Sequence, residues 1–255
     1  MLTRSEIQLL RSLHDRKARQ EQKRFMAEGE KIVNDLLSSG LQVHQILYTD
    51  DYHGRLRTHP LAVAIRDTDM QRITAFKTPS PVAAVFDLPE THLPDNLIFE
   101  NDWILALDGI SDPGNLGTLL RTAEWFGIHW VVCSQDSVDA FNPKSIQSSM
   151  GSVGRVNIAY TDLPTFLEKM PPHISIVGAD MEGQDIYDTS LNAGGILVLG
   201  SEAHGLRPRV RAQIRQKVHI PRGHKGSFPE SLNVAIAGSI LISEICRKQK
   251  YLLKR

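Results

Sequence analysis

The strongest constraint on the fold of this chain is the alternation of short apolar runs with helical patterns between residues 103 and 249. The runs are almost continuously apolar, which is typical of strands that are buried on both faces. Such strands form parallel sheets with helices packed on either side, so we predict an α/β fold. The predicted strands are 103–107, 130–133, 156–159, 174–178, 196–199 and 218–220, and the predicted helices are 115–126, 143–150, 163–169, 207–215 and 231–249.

A smaller α/β unit precedes this sheet. Residues 1–21 are polar and charged and predict one helix, and a second helix with apolar positions ends at Gly40, which suits a left-handed cap. The stretch 88–96 is rich in proline and polar residues, so we place the domain boundary there. The expected domains are 1–90 and 91–255. Strands are predicted at 43–48, 61–65 and 82–86, with a polar segment at 66–71.

Charged residues are unevenly distributed, although the net charge is zero. Residues 1–31 contain eight Lys/Arg and five Asp/Glu, residues 32–204 contain nine and twenty-two, and residues 205–255 contain twelve and two. This imbalance suggests a surface for a polyanion, built from the two ends of the chain. A solvated basic helix and tail would produce the same pattern, so charge alone leaves both interpretations open.

The chain has no feature of a membrane or secreted protein. No apolar run approaches the roughly 18 residues of a membrane span, and the N-terminus has no apolar signal-peptide core. Cys133 and Cys246 lie in separate apolar runs, which fits isolated thiols in a reducing cytosol. Neither has the closely spaced ligands of a metal site. We expect a cytoplasmic protein with no metal and no membrane contact.

Three loops at the carboxyl ends of predicted strands carry unusual polar and glycine patterns, and this is where ligands bind in parallel sheets. In the first, residues 108–123, a tight Pro-Gly turn leads into a helix that begins near Asn115. The start of such a helix suits an anion such as phosphate. Arg121 lies about two turns into the helix. An Asn cap with a surface Arg would explain the same residues.

The second pattern is a buried strand followed by the turn Gly200-Ser201-Glu202. Gly200 would permit close approach of the backbone to a ligand. Ser201 and Glu202 could equally be ordinary residues at the start of a helix. His204 and His224 lie near these loops, and a surface position is the favoured interpretation for both.

The third pattern runs from 218 to 244 and ends in a helix whose small residues would allow close packing on a neighbour. Ser231 is a suitable N-cap for this helix. Asn233, two residues later, is not required by a helix that only packs. The small residues are Ala235, Ala237, Gly238 and Ser239.

In this order, the three patterns resemble the motifs of the SpoU/TrmH family of knotted RNA methyltransferases. The matching segments are NLGTLLRTAEWFG (115–127), ILVLGSEAHGL (196–206) and IP…ESLNVAIAGSILISE (220–244). The segment RKARQEQKRFMAEGEKIVNDLL (16–37) is similar to the L30e/L7Ae-like domain that binds the RNA substrate in many members. The resemblance therefore covers nearly the whole chain.

The resemblance implies a catalytic domain whose C-terminal segment forms a deep trefoil knot, an exception to the rule against threaded chains. It implies S-adenosylmethionine as cofactor, held by backbone groups at Gly200, Ile220 and Leu232, with the loop after Gly178 nearby. It also implies a homodimer with the active site near the subunit interface. The expected substrate is RNA, with ribosomal RNA first and transfer RNA second.

The resemblance assigns catalytic positions to Asn115, Arg121, Glu202, Ser231 and Asn233. The implied reaction is attack of a ribose 2′-hydroxyl on an activated methyl group, so the enzyme must orient the hydroxyl and help its proton leave. In the family the arginine is regarded as the base. A guanidinium stays protonated in proteins, so we favour a phosphate clamp for Arg121. Glu202 or a substrate phosphate would then take the proton.

The loop 222–230 departs from the family pattern, because it is longer than the usual spacing by about three residues. The extra length affects the expected geometry of the cofactor pocket, or it forms a basic loop that faces the substrate. Two other functions stay open. One is a catalytically silent RNA-binding or assembly protein of the same fold, and the other is a methyltransferase that acts on a protein or a small metabolite.

Overall fold

The computed structural model describes residues 1–90, 93, 102–223 and 231–252, and for Tyr251 and Leu252 the backbone only. It divides into two compact units, one formed by Met1–Glu90 with Asp139–Arg155 and the other by Thr91–Val138 with Val156–Arg255. No helix in the described ranges is both long and apolar enough to cross a membrane.

The first unit contains a four-stranded sheet of order β1-β4-β2-β3, in which only β2 and β3 are parallel. The predicted strands at 43–48 and 82–86 are present, while β1 and the helix at 67–73 were missed by the sequence analysis. Its elements are α1 (Arg4–Ser12), α2 (Arg16–Gln22), β1 (Arg24–Glu28), α3 (Glu30–Ser38), β2 (Val43–Tyr48), β3 (Ala62–Ala64), α4 (Asp67–Ile73) and β4 (Val82–Asp87).

The single helix predicted for residues 1–21 is wrong, because the chain forms two helices there. Asp15 lies in an extended conformation between them, and its carboxylate accepts hydrogen bonds from the backbone of Lys17 at 2.8 Å and of Ala18 at 3.2 Å. Asp15 is thus the N-cap of α2, a position that aspartate favours. The predicted left-handed cap at Gly40 is confirmed, with φ of 85°.

The segment 139–155, which contains α6 (Pro143–Ser149), belongs to the first unit, whereas the sequence analysis placed it with the second domain. Phe141 packs on Phe25 of β1 with ring centroids 4.8 Å apart. Asp139 accepts a hydrogen bond from Nε of Arg19 at 2.9 Å, and that arginine is 1% exposed. A buried guanidinium needs a counter-charge, so this ion pair holds the segment 139–155 in the first unit.

The second unit contains a six-stranded sheet of order β10-β8-β9-β5-β6-β7, and every pairing in it is parallel, as predicted. All residues of β5 are buried, which explains the continuous apolar run. The trefoil knot stays a prediction. The elements are β5 (Trp103–Asp108), α5 (Pro113–Trp125), β6 (Trp130–Ser134), β7 (Asn157–Thr161), α7 (Leu163–Glu168), β8 (Ser175–Asp185), β9 (Gly195–Gly200), α8 (Pro208–Arg211), β10 (Gln216–His219) and α9 (Val234–Leu252).

Candidate active site

The start of α5 places Asn115 inside the helix rather than at its cap. Asp112 is the N-cap, and its carboxylate accepts the backbone N–H of Asn115 at 2.8 Å. Pro113 occupies the first turn, where its missing N–H costs nothing. The Asn115 side chain is therefore not used for capping and is available for other contacts.

The start of α9 corrects the predicted role of Ser231. The helix begins at Val234, and Asn233 caps it by accepting the N–H groups of Ala235 at 2.9 Å and Ile236 at 3.3 Å. Ser231 precedes the cap and is exposed, so the predicted Ser cap is wrong. An asparagine satisfies the free N–H groups of the first turn as well as serine does.

Polar groups from all three motifs form one hydrogen-bonded chain. The Nδ2 group of Asn115 donates to the Glu202 carboxylate, and Oδ1 of Asn115 accepts from Nδ2 of Asn233 at 3.0 Å. Asn115 thus uses its donor on one partner and its acceptor on the other. Three of the five predicted catalytic residues are brought together by these contacts.

The small residues of α9 allow this arrangement, as predicted. A Cβ atom added at Gly238 would lie 2.6 Å from Cδ2 of Leu119 on α5 and 2.7 Å from Cδ1 of Leu199 on β9. The hydroxyl groups of Thr122 and Ser239 are 3.1 Å apart across the same pair of helices. Close packing of α9 on α5 and β9 therefore brings Asn233 within reach of Asn115.

Glu202 lies on a tight turn that begins at the end of β9. Ser201 and Gly205 exchange two backbone hydrogen bonds of 3.1 and 2.9 Å. A Cβ atom at Gly200 would lie 2.2 Å from the carbonyl carbon of Gly205 and 2.4 Å from the nitrogen of Leu206. Glycine is needed at 200 because the chain folds back on itself there, which the sequence analysis attributed only to a ligand.

A cavity of about 850 Å³ opens beside this turn. It is lined by Gly200, Ile220 and Leu232, the three predicted cofactor positions, and by Glu202 and Ser231. The segment after Gly178 lines the cavity too, but it is a continuation of β8 and not the predicted loop. His204 also lines the cavity. The cavity also has an apolar wall formed by Leu199, Val218, Val234, Ala237 and Leu241.

The cavity wall contributed by the C-terminal part of β8 is charged. The Asp180 carboxylate accepts a hydrogen bond from Nε of Arg211 at 2.8 Å and one from the backbone of Glu182 at 3.0 Å. Burial opposes ionisation of Asp180, but these donors and the positive charges of Arg211 and Lys217 outweigh it, and the pKa of Asp180 lies below its ordinary value. Asp180 is therefore ionised, and its charge is paired with those of Arg211 and Lys217.

Arg121 stands apart from the hydrogen-bonded chain. It lies on α5 and is exposed, and among the described residues none forms a hydrogen bond or an ion pair with it. Its guanidinium is thus available to an anion from outside the chain. The long loop 222–230 contributes Arg222 and Gly223 to the cavity, while residues 224–230, including His224, lie outside the described residues.

Many cations of the basic segment 205–255 are used inside the second unit. Arg207 and Arg211 form ion pairs with aspartates, and Arg247 pairs with Glu244. The Nζ atom of Lys248 donates to the carbonyl oxygens of Ile186, Tyr187 and Thr189. The charge surplus of this segment therefore overstates the basic surface that a polyanion could contact.

Sequence reasoning missed the residue pair Asp108 and Arg207. Asp108, the last residue of β5, is 0% exposed, and its carboxylate accepts the backbone N–H of Arg207 at 2.8 Å and the Nε group at 2.6 Å. A second guanidinium nitrogen of Arg207 also contacts it. The signal available in the sequence was an aspartate ending a buried strand, directly before the first motif.

The models of two known protein families match the chain. The model of the SpoU rRNA Methylase family matches residues 102–243, and that of the MRM3-like substrate binding domain matches residues 4–84. The 23S rRNA (guanosine(2553)-2′-O)-methyltransferase RlmP of Bacillus subtilis (strain 168) is 29% identical over 245 residues, covering 91% of this chain and 92% of that protein.

Two solved structures are similar over almost the whole chain. A protein of Porphyromonas gingivalis assigned to the TrmH family of RNA methyltransferases is 38% identical with a TM-score of 0.83, covering 97% of this chain and 99% of that one. The AdoMet-bound rRNA methyltransferase of Sinorhizobium meliloti is 28% identical with a TM-score of 0.81, covering 97% and 96%.

Proposed function

Because this chain belongs to the SpoU rRNA Methylase family, we propose that it transfers a methyl group from S-adenosylmethionine to a ribose 2′-hydroxyl of ribosomal RNA. The observation that carries the proposal is the meeting of the three motifs around one cavity, with Glu202, Asn115 and Asn233 joined at its edge. A relative named as a 23S rRNA methyltransferase covers nearly the whole chain and makes ribosomal RNA a better candidate than transfer RNA.

The cavity fits the proposed cofactor in chemistry as well as in size. Its apolar wall suits an adenine ring and the methylene groups of a methionine chain, and the turn after Gly200 and the segments at Ile220 and Leu232 offer backbone polar groups. The Glu202 carboxylate adds negative charge, which complements a sulfonium. When bound there, S-adenosylmethionine supplies a methyl group activated by the positive sulfur.

The residues of the chain then have separate tasks. Asn115 and Asn233 hold the Glu202 carboxylate in place, and within the described chain only one of its oxygens accepts a hydrogen bond. Its other oxygen is available to take the proton of the ribose hydroxyl. Arg121 contacts a phosphate of the RNA and so orients the hydroxyl, while Ser231 contributes polar atoms to the cavity wall.

The first domain, expected at 1–90, is the RNA-binding part in this proposal. Its support is the match of residues 4–84 to a substrate binding domain. Ribosomal RNA as substrate also makes the cytoplasm the expected location. RNA affinity that comes largely from phosphate contacts should decrease steeply as the salt concentration rises.

The active enzyme is a homodimer in this proposal, as the family resemblance implies. Two adjacent helices of the second unit carry exposed apolar side chains that a partner subunit would cover. Trp125 at the end of α5 is 84% exposed, and Ile236 near the start of α9 is 52% exposed. A partner subunit that covered both side chains would remove their apolar surface from water, which favours association.

The proposal is tested by methyl transfer to ribosomal RNA from a strain that lacks the gene. Purified protein with tritiated S-adenosylmethionine should label this RNA, and the RNA of the parent strain should accept far less. Mapping of 2′-O-methyl sites in both strains would then identify the nucleotide. Label in transfer RNA alone would show that transfer RNA, and not ribosomal RNA, is the substrate class. No label in any RNA would favour a catalytically silent RNA-binding protein.

A further inference from the structure

Asp108 lies beside both ends of the turn that carries Glu202. At the start of the turn, its backbone lies opposite Gly200 in the register of β5 and β9. At the end of the turn, Arg207 binds the Asp108 carboxylate through its backbone N–H and its guanidinium group. Residues 201–206 therefore span between a strand neighbour of Asp108 and a residue that its buried carboxylate binds.

The turn has further contacts among the described residues. Its internal hydrogen bonds join Ser201 to Gly205 and the Ser201 hydroxyl to the backbone of His204 at 3.2 Å, and these set its shape. Leu206 packs against the apolar core, and Glu202 accepts the hydrogen bond from Asn115. Asp108 and Arg207 add an attachment to the end of β5, through several contacts to a carboxylate that is excluded from solvent.

The turn supplies two parts of the proposed site. Ser201, Glu202 and Leu206 line the cavity, and Glu202 also accepts the hydrogen bond from Asn115. A shift of the turn would both move the Glu202 carboxylate away from Asn115 and change the cavity wall. Displacements of about 1 Å at a reacting group can cost on the order of a hundredfold in rate.

We propose that Asp108 and Arg207 are positioning residues for methyl transfer, which act by holding Glu202 at the edge of the cavity. The inference deepens the proposed function and rests on it. An arginine suits this task because its planar group offers several donors in fixed directions, and here a third contact reaches Asp136 at 3.0 Å. Asp136 is 58% exposed, so that contact contributes little.

The alternative is that the pair only stabilises the fold. Buried ion pairs often contribute little net stability, because desolvation offsets their attraction. The first unit contains a pair for comparison, since Arg19 and Asp139 form an ion pair of the same residue types, with a buried arginine where Arg207 is 41% exposed. Neither residue of that pair lines the cavity.

A double-mutant cycle separates positioning from stability. Asp108→Asn should lower kcat by about tenfold to a hundredfold, and it should add little when combined with Glu202→Gln, because both changes remove the same function. Asp139→Asn is the control. It should lower Tm and leave the affinity for S-adenosylmethionine unchanged in calorimetry. Its effect on kcat should multiply with that of Glu202→Gln in the double variant.

Multiplicative effects of Asp108→Asn and Glu202→Gln would overturn the inference. If Asp108→Asn does not fold, Arg207→Lys provides the same cycle, because lysine keeps the charge and loses the forked contact. Asp136→Asn should change kcat by less than about threefold, as expected for an exposed pair. Activity of the unmodified protein on ribosomal RNA tests the proposed function separately, whatever the outcome of the cycle.

Discussion

At the scale of single residues, the identity of Asn115 is determined by two neighbours of different character. Its Nδ2 group faces a carboxylate and needs a donor, and its Oδ1 atom faces an amide and needs an acceptor. A side-chain amide provides both from two separate atoms, whereas the carboxylate of an aspartate of the same shape provides acceptors only. The same holds for Asn233, whose Oδ1 atom caps α9 while its Nδ2 group donates to Asn115.

Asn233→Asp separates these two tasks. The new carboxylate still caps α9, so Tm should change little. The Oδ1 atom of Asn115 would then face a carboxylate oxygen in place of a donor, so turnover should decrease by about tenfold or more. Thermal melts and steady-state kinetics measure the two effects. Asn233→Ala is the comparison, since it should lower both Tm and turnover. Unchanged turnover in Asn233→Asp would contradict a role in catalysis for the hydrogen bonds that join Asn233, Asn115 and Glu202.

Arg121→Ala should abolish turnover and leave the affinity for S-adenosylmethionine largely intact. The reason is that Arg121 lies outside the cavity lining and has no partner in the described residues, so its task concerns the RNA. Calorimetry with the cofactor and the tritium assay with RNA give the two readings. A large loss of cofactor affinity would show that this assignment is wrong.

At the scale of elements, the turn after β9 depends on Gly200. Gly200→Ala would place a Cβ atom against backbone atoms of Gly205 and Leu206, which cannot rotate away. We expect a loss of roughly 1–3 kcal/mol in the free energy of unfolding, typical of overpacking, and a loss of cofactor binding. Gly223→Ala is a control for stability, because no atom of the described part of the chain lies within 4 Å of a Cβ atom there.

The last helix should show a pH dependence through Glu244. The Arg247 guanidinium lowers the pKa of this carboxyl below its ordinary value of 4.5. A lowered pKa stabilises the folded state above the ordinary value, and this contribution is lost as the pH falls through the folded pKa. Glu244→Gln should thus reduce Tm near neutral pH, and the difference from the unmodified protein should shrink in acid. A difference in Tm that stays constant with pH would contradict a stabilising ion pair between Glu244 and Arg247.

At the scale of the whole molecule, the proposed dimer predicts the effect of a charge at Trp125. Trp125→Glu should shift the protein from dimer to monomer, because a carboxylate does not transfer favourably into an apolar interface. Sedimentation analysis measures the change. Trp125→Phe retains an apolar ring and should remain dimeric. If the unmodified protein is monomeric at micromolar concentration, the proposed homodimer is wrong.

The sequence by itself determined the parallel sheet, the approximate positions of most strands and the three motifs at the strand ends. These are local signals, because apolar periodicity and glycine turns are visible within about ten residues. The helix caps at Asp112 and Asn233 were harder to predict. Several polar residues near each helix start could serve as the N-cap, and packing selects one of them.

Only the tertiary structure decided which distant groups meet. It placed Asp139 on Arg19, 120 residues earlier, and Arg207 on Asp108, 99 residues earlier. It also showed that many cations of the basic C-terminal segment are used within the second unit. Such pairs depend on strand order and burial, which bring chain segments together regardless of separation, and no local pattern in the sequence records them.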